Sequence, residues 1–503
     1  MNQEFELIAK TFQGLEEVLA QELTELGAEN IEIGRRMVSF TGDKAMMYRA
    51  NFCLRTAIRV LKPIKHFQAT TADEVYDAVK SIEWENYMDN MTSFSVDSVV
   101  FSEMFRHSMF VAYKVKDAIV DYFREKTGSR PSVRINNPDL TLNIHVAEDQ
   151  CTLSLDSSGE SLHRRGYRQE QVEAPLNEVL AAGMILMTGW RGECDLIDPM
   201  CGSGTIPIEA ALIARNIAPG VFRKEFGFEK WKDFDQELFD EIYNDDSKER
   251  EFTHKIYGYD NNPKAIGIAT NNVKAAGVTK EVTLKLQPFQ QFEQPAEKSI
   301  IIMNPPYGER ISSDDLLGLY QTIGERLKHA FIGNDAWVLS YRDECFDQIG
   351  LKASAKIPLF NGALECQFRQ FQIFNGKYKE FRSENPDKEF KTKREEKPSR
   401  SRHHGEKVEY GRKEGKDRFR SGRRRDDDRP PFRFRKAEDG KEFTRERKRE
   451  FNHEEPKRFS RRDGDTDRKS PRRFSRDEKD DRRAQIPAYM RYIHRRRKPE
   501  EEN

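Results

Sequence analysis

The sequence lacks the features that mark metal-binding, secreted and membrane-spanning proteins. Its six cysteines are scattered without a CxxC pair, which argues against a zinc site or a disulfide framework and fits a reducing compartment. The histidines show no HExxH or similar spacing, and no apolar run reaches the roughly 18 residues of a membrane span. The first residues, MNQEFELIAK, contain no basic segment followed by an apolar core. We therefore expect a cytoplasmic protein that requires no metal and has no membrane partner.

Aliphatic residues are almost missing from the C-terminal part of the chain. Between residues 381 and 480, Val408 is the only Ile, Leu, Val or Met, so this stretch cannot bury enough apolar area to offset its ordering entropy. Residues 381–503 contain 43 Lys and Arg against 29 Asp and Glu, whereas the whole chain has a net charge of zero. Phe recurs beside Arg in this stretch, as in DRFR and PFRFR. We predict a disordered, basic tail over 381–503 that binds RNA through Arg–phosphate contacts and stacking of Phe on bases; a solvating tail without a partner is the alternative.

The rest of the chain shows two patterns of secondary structure. Residues 1–160 mix helical and strand-like stretches, which predicts a small α+β region. From about residue 175, strands such as CDLID, KIYGYD and SIIIM alternate with amphipathic helices, which predicts a doubly wound, mostly parallel sheet. The last stretch, CQFRQFQIF over 366–374, alternates in the way that is typical of an antiparallel edge strand.

A glycine-rich turn follows the first strand of the alternating region. The sequence DLIDPMCGSGT places Asp198 at the end of a strand, Gly202 and Gly204 in the turn, and Thr205 at the start of a helix. The turn has neither the Lys-Ser/Thr ending of a phosphate-binding loop nor GxGxxG spacing, so a polyphosphate is not favoured. Asp260 ends the next strand, where a carboxylate can accept hydrogen bonds from both ribose hydroxyls. S-adenosylmethionine fits this pattern; an ordinary turn with a surface aspartate is the alternative.

A later buried strand, SIIIM, stops at Asn-Pro-Pro-Tyr. Two prolines cannot continue a central strand, because neither has an N–H for the sheet. The Asn304 carboxamide oxygen and the Pro305 carbonyl can accept both hydrogens of one aromatic amino group, which is a weak nucleophile until its lone pair is localised. Tyr307 can stack on the base. A strand cap without chemistry is the alternative.

The two motifs together identify a family resemblance. DPMCGSGT followed by NPPYGER resembles the THUMP-domain RNA guanine-N2 methyltransferases, in particular the RlmL-like enzymes that act on large-subunit ribosomal RNA. The resemblance covers roughly residues 1–375 and does not include a second, fused methyltransferase domain. It implies a ferredoxin-like part at 1–44, a THUMP domain that binds RNA at 45–157, a Rossmann-like class I methyltransferase domain at 158–380, and the disordered tail at 381–503.

The resemblance also implies roles for individual residues. The cofactor loop would comprise Asp198, Cys201, Gly202, Ser203, Gly204 and Thr205, with Asp260 as the ribose ligand, and the catalytic motif would comprise Asn304, Pro305, Pro306 and Tyr307. One position departs from the family pattern. At the position where the family has an Asp that binds the adenine amino group of the cofactor, this sequence has Pro288. The sequence leaves open whether Gln287, Gln290 or the backbone recognises the adenine instead.

These residues predict methyl transfer from S-adenosylmethionine to the N2 amino group of a guanine in large-subunit ribosomal RNA. A transfer-RNA guanine-N2 methyltransferase and a non-catalytic RNA-binding assembly factor are the alternatives. Two further stretches are candidates for RNA contacts: HRRGYR at 163–168, otherwise a solvated linker, and APGVFRKEFGFEKWKDF at 218–234, otherwise a packed cover. The sequence leaves open which guanine is modified and the oligomeric state.

Overall fold

The structure of the protein is a computed structural model that describes residues 3–292, 298–307 and 312–374. The predicted disordered tail over 381–503 lies outside these residues. Within the described part, no helix is long and apolar enough to cross a membrane.

The N-terminal region is built on one eight-stranded mixed sheet. Its elements are β1 (Phe5–Lys10), α1 (Glu16–Leu26), β2 (Glu29–Gly34), β3 (Met37–Gly42), α2 (Lys44–Cys53), β4 (Arg59–Gln68), α3 (Ala72–Lys80), β5 (Ser93–Phe101), α4 (Ser108–Thr127), β6 (Ser132–Val133), β7 (Leu140–Ala147) and β8 (Gln150–Asp156). The strand order is β2-β3-β1-β4-β8-β7-β5-β6. The long strand β4 pairs with β1 on one side and with β8 on the other, so the sheet is continuous. The predicted α+β region is confirmed.

The C-terminal region is a second, seven-stranded sheet flanked by helices. Its elements are α5 (Glu178–Met187), β9 (Asp195–Asp198), α6 (Thr205–Ala214), α7 (Gln236–Asn244), β10 (Ile256–Asp260), α8 (Pro263–Ala275), β11 (Val282–Leu286), β12 (Ser299–Met303), α9 (Ser313–Ala330), β13 (Asp335–Ser340), α10 (Asp343–Ile349), β14 (Ala355–Asn361) and β15 (Leu364–Gln372). The order is β11-β10-β9-β12-β13-β15-β14, with the first five strands parallel. The predicted doubly wound sheet is confirmed, and its strand order reverses between β9 and β12, where such sheets bind ligands.

The last strand is antiparallel to its neighbours, as predicted, but the prediction that it lies at the edge of the sheet is wrong. β15 pairs with β13 on one side and β14 on the other, and β14 forms the edge. Pro358 lies within β14, in keeping with an edge position. Alternation in a sequence reports that the two faces of a strand differ in polarity; it does not report how many neighbours the strand has.

Aromatic side chains pack between the two regions, in a hydrophobic cluster to which both regions contribute. The insertion between β9 and β10 packs on α2, where the rings of Phe228 and Tyr48 stack at 4.3 Å. A Cβ atom on Gly220 would lie 2.7 Å from the Phe52 carbonyl oxygen, so this contact requires glycine. Phe226 and Phe228 are buried, so these two rings of the stretch at 218–234 are not free to contact RNA. The packed alternative is observed, with α2 as its main partner.

Candidate active site

The carboxyl ends of β9, β10 and β12 open into a cavity of about 880 Å³. All of the residues predicted for the cofactor and catalytic sites line it except Gly204, which is the N-cap of α6. Two stretches that are distant in sequence, the glycine turn and Asn-Pro-Pro-Tyr, thus meet at the point where the strand order reverses. The roles assigned to these residues remain predictions. Because the two stretches lie in one cavity, a methyl donor at the glycine turn and an acceptor at Asn-Pro-Pro-Tyr can bind next to each other.

The glycine turn has the backbone conformation that a close approach to a ligand requires. Gly202 and Gly204 have φ angles of +53° and +83°, in the left-handed region that favours glycine. The Gly202 N–H donates to Asp260 Oδ2 at 3.0 Å, and the Asn262 N–H donates to Asp260 Oδ1 at 2.8 Å. Since each carboxylate oxygen can accept two hydrogen bonds, Asp260 keeps acceptor capacity for ribose hydroxyls while it holds the turn.

Asp198 lies beneath the turn and is buried. Its Oδ1 accepts one hydrogen bond from the Met200 N–H at 3.2 Å. Burial, which removes water from the carboxylate, and the negative charge of Asp260 together raise the pKa of Asp198 to about 8. Burial likewise raises the pKa of the Cys201 thiol, so this residue is a neutral thiol at pH 7 and no thiolate nucleophile.

The catalytic motif is held by a hydrogen bond between two of its own side chains. The Tyr307 hydroxyl donates to Asn304 Oδ1 at 2.5 Å and accepts a hydrogen bond from Asn361 Nδ2 at 3.2 Å. Burial raises the pKa of Tyr307 well above its usual range, so the hydroxyl remains a donor. The rings of Tyr307 and Tyr341 pack edge to face, with their centroids 5.5 Å apart. Tyr307 therefore fixes the orientation of the Asn304 carboxamide.

The interpretation of HRRGYR as a phosphate-binding stretch is wrong for most of its side chains. Arg165 is buried and lies 3.6 Å from Glu209, and the Tyr167 hydroxyl donates to the same Glu209 at 2.9 Å. Arg168 is largely buried against the glycine turn, whereas Arg164 is exposed and pairs with Glu160. The signal that could have shown this is Glu209 itself, a lone acid within the apolar helix IPIEAALIA, which requires a buried partner.

Sequence reasoning also missed one wall of the cavity. Residues 172–176, which precede α5, form this wall, and Ala174 within it has a φ of +52°. Of the residues left open for adenine, Gln290 lines the cavity, whereas the Gln287 amide donates to the Gln291 carbonyl at 2.7 Å. A φ in the left-handed region at an alanine has no sequence signature, so this wall could not have been predicted.

The cavity therefore fits S-adenosylmethionine on its own geometry, since it joins a left-handed glycine turn at a helix N-terminus to a carboxylate with free acceptor capacity. Among the residues that the structure describes, no group of three or more His, Cys, Asp or Glu side chains is placed to hold a metal ion. The expectation that no metal is required stays a prediction.

Comparison with known proteins agrees with this geometry. Residues 6–61 match the RlmL ferredoxin-like domain, residues 69–156 the THUMP domain, and residues 165–370 the RMKL-like methyltransferase domain. A "Putative RNA methyltransferase" of Synechocystis sp. is 39% identical over 369 residues, which cover 73% of this chain and 96% of the relative. The chain belongs to the RlmL-like THUMP-containing methyltransferases. It is an S-adenosylmethionine-dependent RNA methyltransferase, and its THUMP domain contacts the RNA substrate.

Two further relatives define how far the family likeness extends. The "Ribosomal RNA large subunit methyltransferase K/L" of Syntrophotalea carbinolica is 41% identical over 387 residues, which cover 74% of this chain and 54% of the relative. The chain thus spans about half the length of this relative. The crystal structure of SMU.472, "a putative methyltransferase complexed with SAH", superposes with a TM-score of 0.68 at 31% identity and covers 75% of this chain and all of that one. The predicted boundaries at residues 44, 157 and 380 stay predictions.

Proposed function

We propose that this methyltransferase modifies the N2 amino group of a guanine in large-subunit ribosomal RNA, in the cytoplasm. The observation that carries the proposal is the position of Asn304, at the end of β12 and in the same cavity as the glycine turn. The name of the Syntrophotalea carbinolica relative supports ribosomal RNA as the substrate.

The acceptor side of the reaction depends on Asn304 and Pro305. S-adenosylmethionine supplies the methyl group when it is bound. Asn304 Oδ1 accepts a hydrogen bond from Tyr307 and keeps a second lone pair for an N–H of the target amino group. Pro305 has no N–H of its own and offers only its carbonyl as an acceptor. Two acceptors on one aromatic amino group draw its hydrogens out of the ring plane, localise its lone pair and stabilise the positive charge that develops on nitrogen.

In this proposal, the main role of Tyr307 is to orient Asn304, and contact with the base is secondary. Its hydroxyl determines which atom of the carboxamide faces the substrate, because a donor at Oδ1 disfavours the flipped amide. Stacking of the Tyr307 ring on the guanine stays a proposal. Asp260 and the Gly202 amide hold the cofactor side, so each partner is oriented by a separate set of side chains.

The decisive experiment is methylation of purified RNA pools with labelled S-adenosylmethionine. Large-subunit ribosomal RNA and transfer RNA from a strain that lacks the enzyme are incubated separately, digested and mapped by mass. We expect N2-methylguanine in large-subunit ribosomal RNA only. Label confined to transfer RNA would overturn the proposed substrate, and label on an adenine or on a ring nitrogen would overturn the proposed target atom.

A further inference from the structure

The glycine turn is held from outside the cavity by one arginine, Arg168. This residue lies in the segment between β8 and α5, and its side chain is 15% exposed. Its Nη1 donates to Ser203 Oγ at 2.8 Å, and its Nη2 donates to Thr205 Oγ1 at 2.9 Å. One planar guanidinium thus contacts the hydroxyls on both sides of the left-handed Gly204.

The same guanidinium also holds the adjoining wall of the cavity. Arg168 Nε donates to Glu178 Oε1 at 2.7 Å, and Nη2 donates to the Leu176 carbonyl at 3.2 Å. Leu176 ends the wall formed by residues 172–176, and Glu178 begins α5. A single rigid group therefore sets the spacing between the glycine turn and the adjoining wall.

A second buried side chain, Asn272 of α8, links the same two segments through backbone atoms. Its Nδ2 donates to the Ser203 carbonyl at 3.0 Å and to the Glu170 carbonyl at 3.0 Å, and its Oδ1 accepts the Gln169 N–H at 2.9 Å. Because Asn272 holds the backbone of the turn independently, we expect a change at Arg168 to shift the turn without unfolding it.

We propose that Arg168 is a positioning residue for S-adenosylmethionine. It is not part of the cavity lining, yet it holds the hydroxyl groups of Ser203 and Thr205, and with them the start of α6, against the wall at 172–176. The proposal rests on the proposed cofactor role of that loop. A lysine at this position keeps the positive charge that faces Glu178, but it cannot contact both hydroxyls in one plane. Arg168→Lys therefore separates the positioning role from simple charge pairing.

A purely structural role predicts a different result. If Arg168 served only as the partner of Glu178, its replacement would lower the unfolding temperature and leave the cofactor affinity of the folded protein unchanged. The pair Ser203→Ala and Thr205→Val provides a second route to the same contacts, because it removes both acceptors and leaves the Arg168–Glu178 ion pair intact. Arg164→Lys is the matched control, since Arg164 lies in the same segment but is exposed and paired with Glu160.

The experiment is calorimetric titration of the full chain with S-adenosylmethionine, well below the unfolding temperature of every variant. We expect Arg168→Lys and the Ser203/Thr205 double variant each to raise the dissociation constant about 10-fold, because each loses hydrogen bonds from a charged donor. Their combination should be no worse than either alone, and Arg164→Lys should stay within about twofold of the wild type.

A dissociation constant for Arg168→Lys within about twofold of the wild type would overturn the proposal, as would additive effects of the two sets of changes. The titration contains no RNA. A wild-type protein that binds the cofactor but methylates another RNA would overturn the proposed function and leave the role of Arg168 standing.

Discussion

On the β10 side of the cavity, Asp260 accepts hydrogen bonds from two backbone amides, whereas on the β12 side Asn304 accepts one from the Tyr307 side chain. Backbone amides move only when a loop moves, but a tyrosine side chain can rotate about two bonds. The cofactor side is thus built for one small ligand of constant shape. We propose that the target nucleotide binds on the β12 side, where a rearrangement would have to change only side-chain contacts.

The largest effect should follow from a change on the β12 side. Asn304→Ala removes the side-chain acceptor for the target amino group, and we expect turnover to fall by about 100- to 1,000-fold, which is typical of the loss of one preorganised group that stabilises developing charge. The dissociation constant for S-adenosylmethionine should stay within about twofold, because Asn304 is proposed to hold the acceptor. Single-turnover kinetics on RNA and calorimetry separate the two quantities.

A matched asparagine provides the control for this prediction. Asn271 is exposed on α8 and lies outside the cavity lining, so Asn271→Ala should match the wild type in both measurements. Turnover of Asn304→Ala near the wild-type value would remove this residue from the mechanism.

The opposite pattern is expected on the β10 side. Asp260→Ala deprives the ribose of its proposed acceptor and also releases the Gly202 amide, so the cofactor dissociation constant should rise about 10- to 100-fold. Calorimetry checks this value. Asp246→Ala, at an exposed position outside the cavity lining, is the control and should bind like the wild type. If both variants bind equally well, the ribose assignment fails.

Part of this contrast could be predicted from sequence, because its signals are local. Glycines after a strand and prolines that stop one constrain the backbone at their own positions, and this is why Gly202 and Asn304 were correctly placed at one sheet edge. The buried state of Arg165 is not local. It depends on Glu209, whose position in an apolar helix indicates that it has a buried partner but does not indicate which residue that partner is.

Asp198 ends β9, between the β10 and β12 sides, and should have a smaller, pH-dependent effect on stability. Its pKa is raised to about 8, whereas an unfolded aspartate titrates near ~3.9, so between about pH 4 and pH 8 the folded state keeps a proton that the unfolded state has lost. The contribution of this group to the free energy of unfolding therefore falls as the pH rises through that window. Asp198→Asn removes this dependence.

Thermal unfolding without cofactor measures the effect. We compare the unfolding midpoint of Asp198→Asn with that of the wild type at each pH. The midpoint of the variant minus that of the wild type should increase by a few degrees from pH 5 to pH 8. A difference that is the same at every pH would show that Asp198 is already ionised in the folded protein at pH 5.

The smallest effect is expected from the tail, which lies outside the described residues. Truncation after residue 380 removes a net charge of +14 and none of the described residues, so cofactor affinity should not change. RNA affinity should fall several-fold, with a shallower dependence on salt, because fewer counterions are released on binding. Full-length protein with Phe432→Leu and Phe434→Leu keeps the charge and should keep the full salt slope while it loses affinity at every salt concentration. Equal affinity and equal slope for the truncated and full-length proteins would show that the tail is no RNA-binding arm.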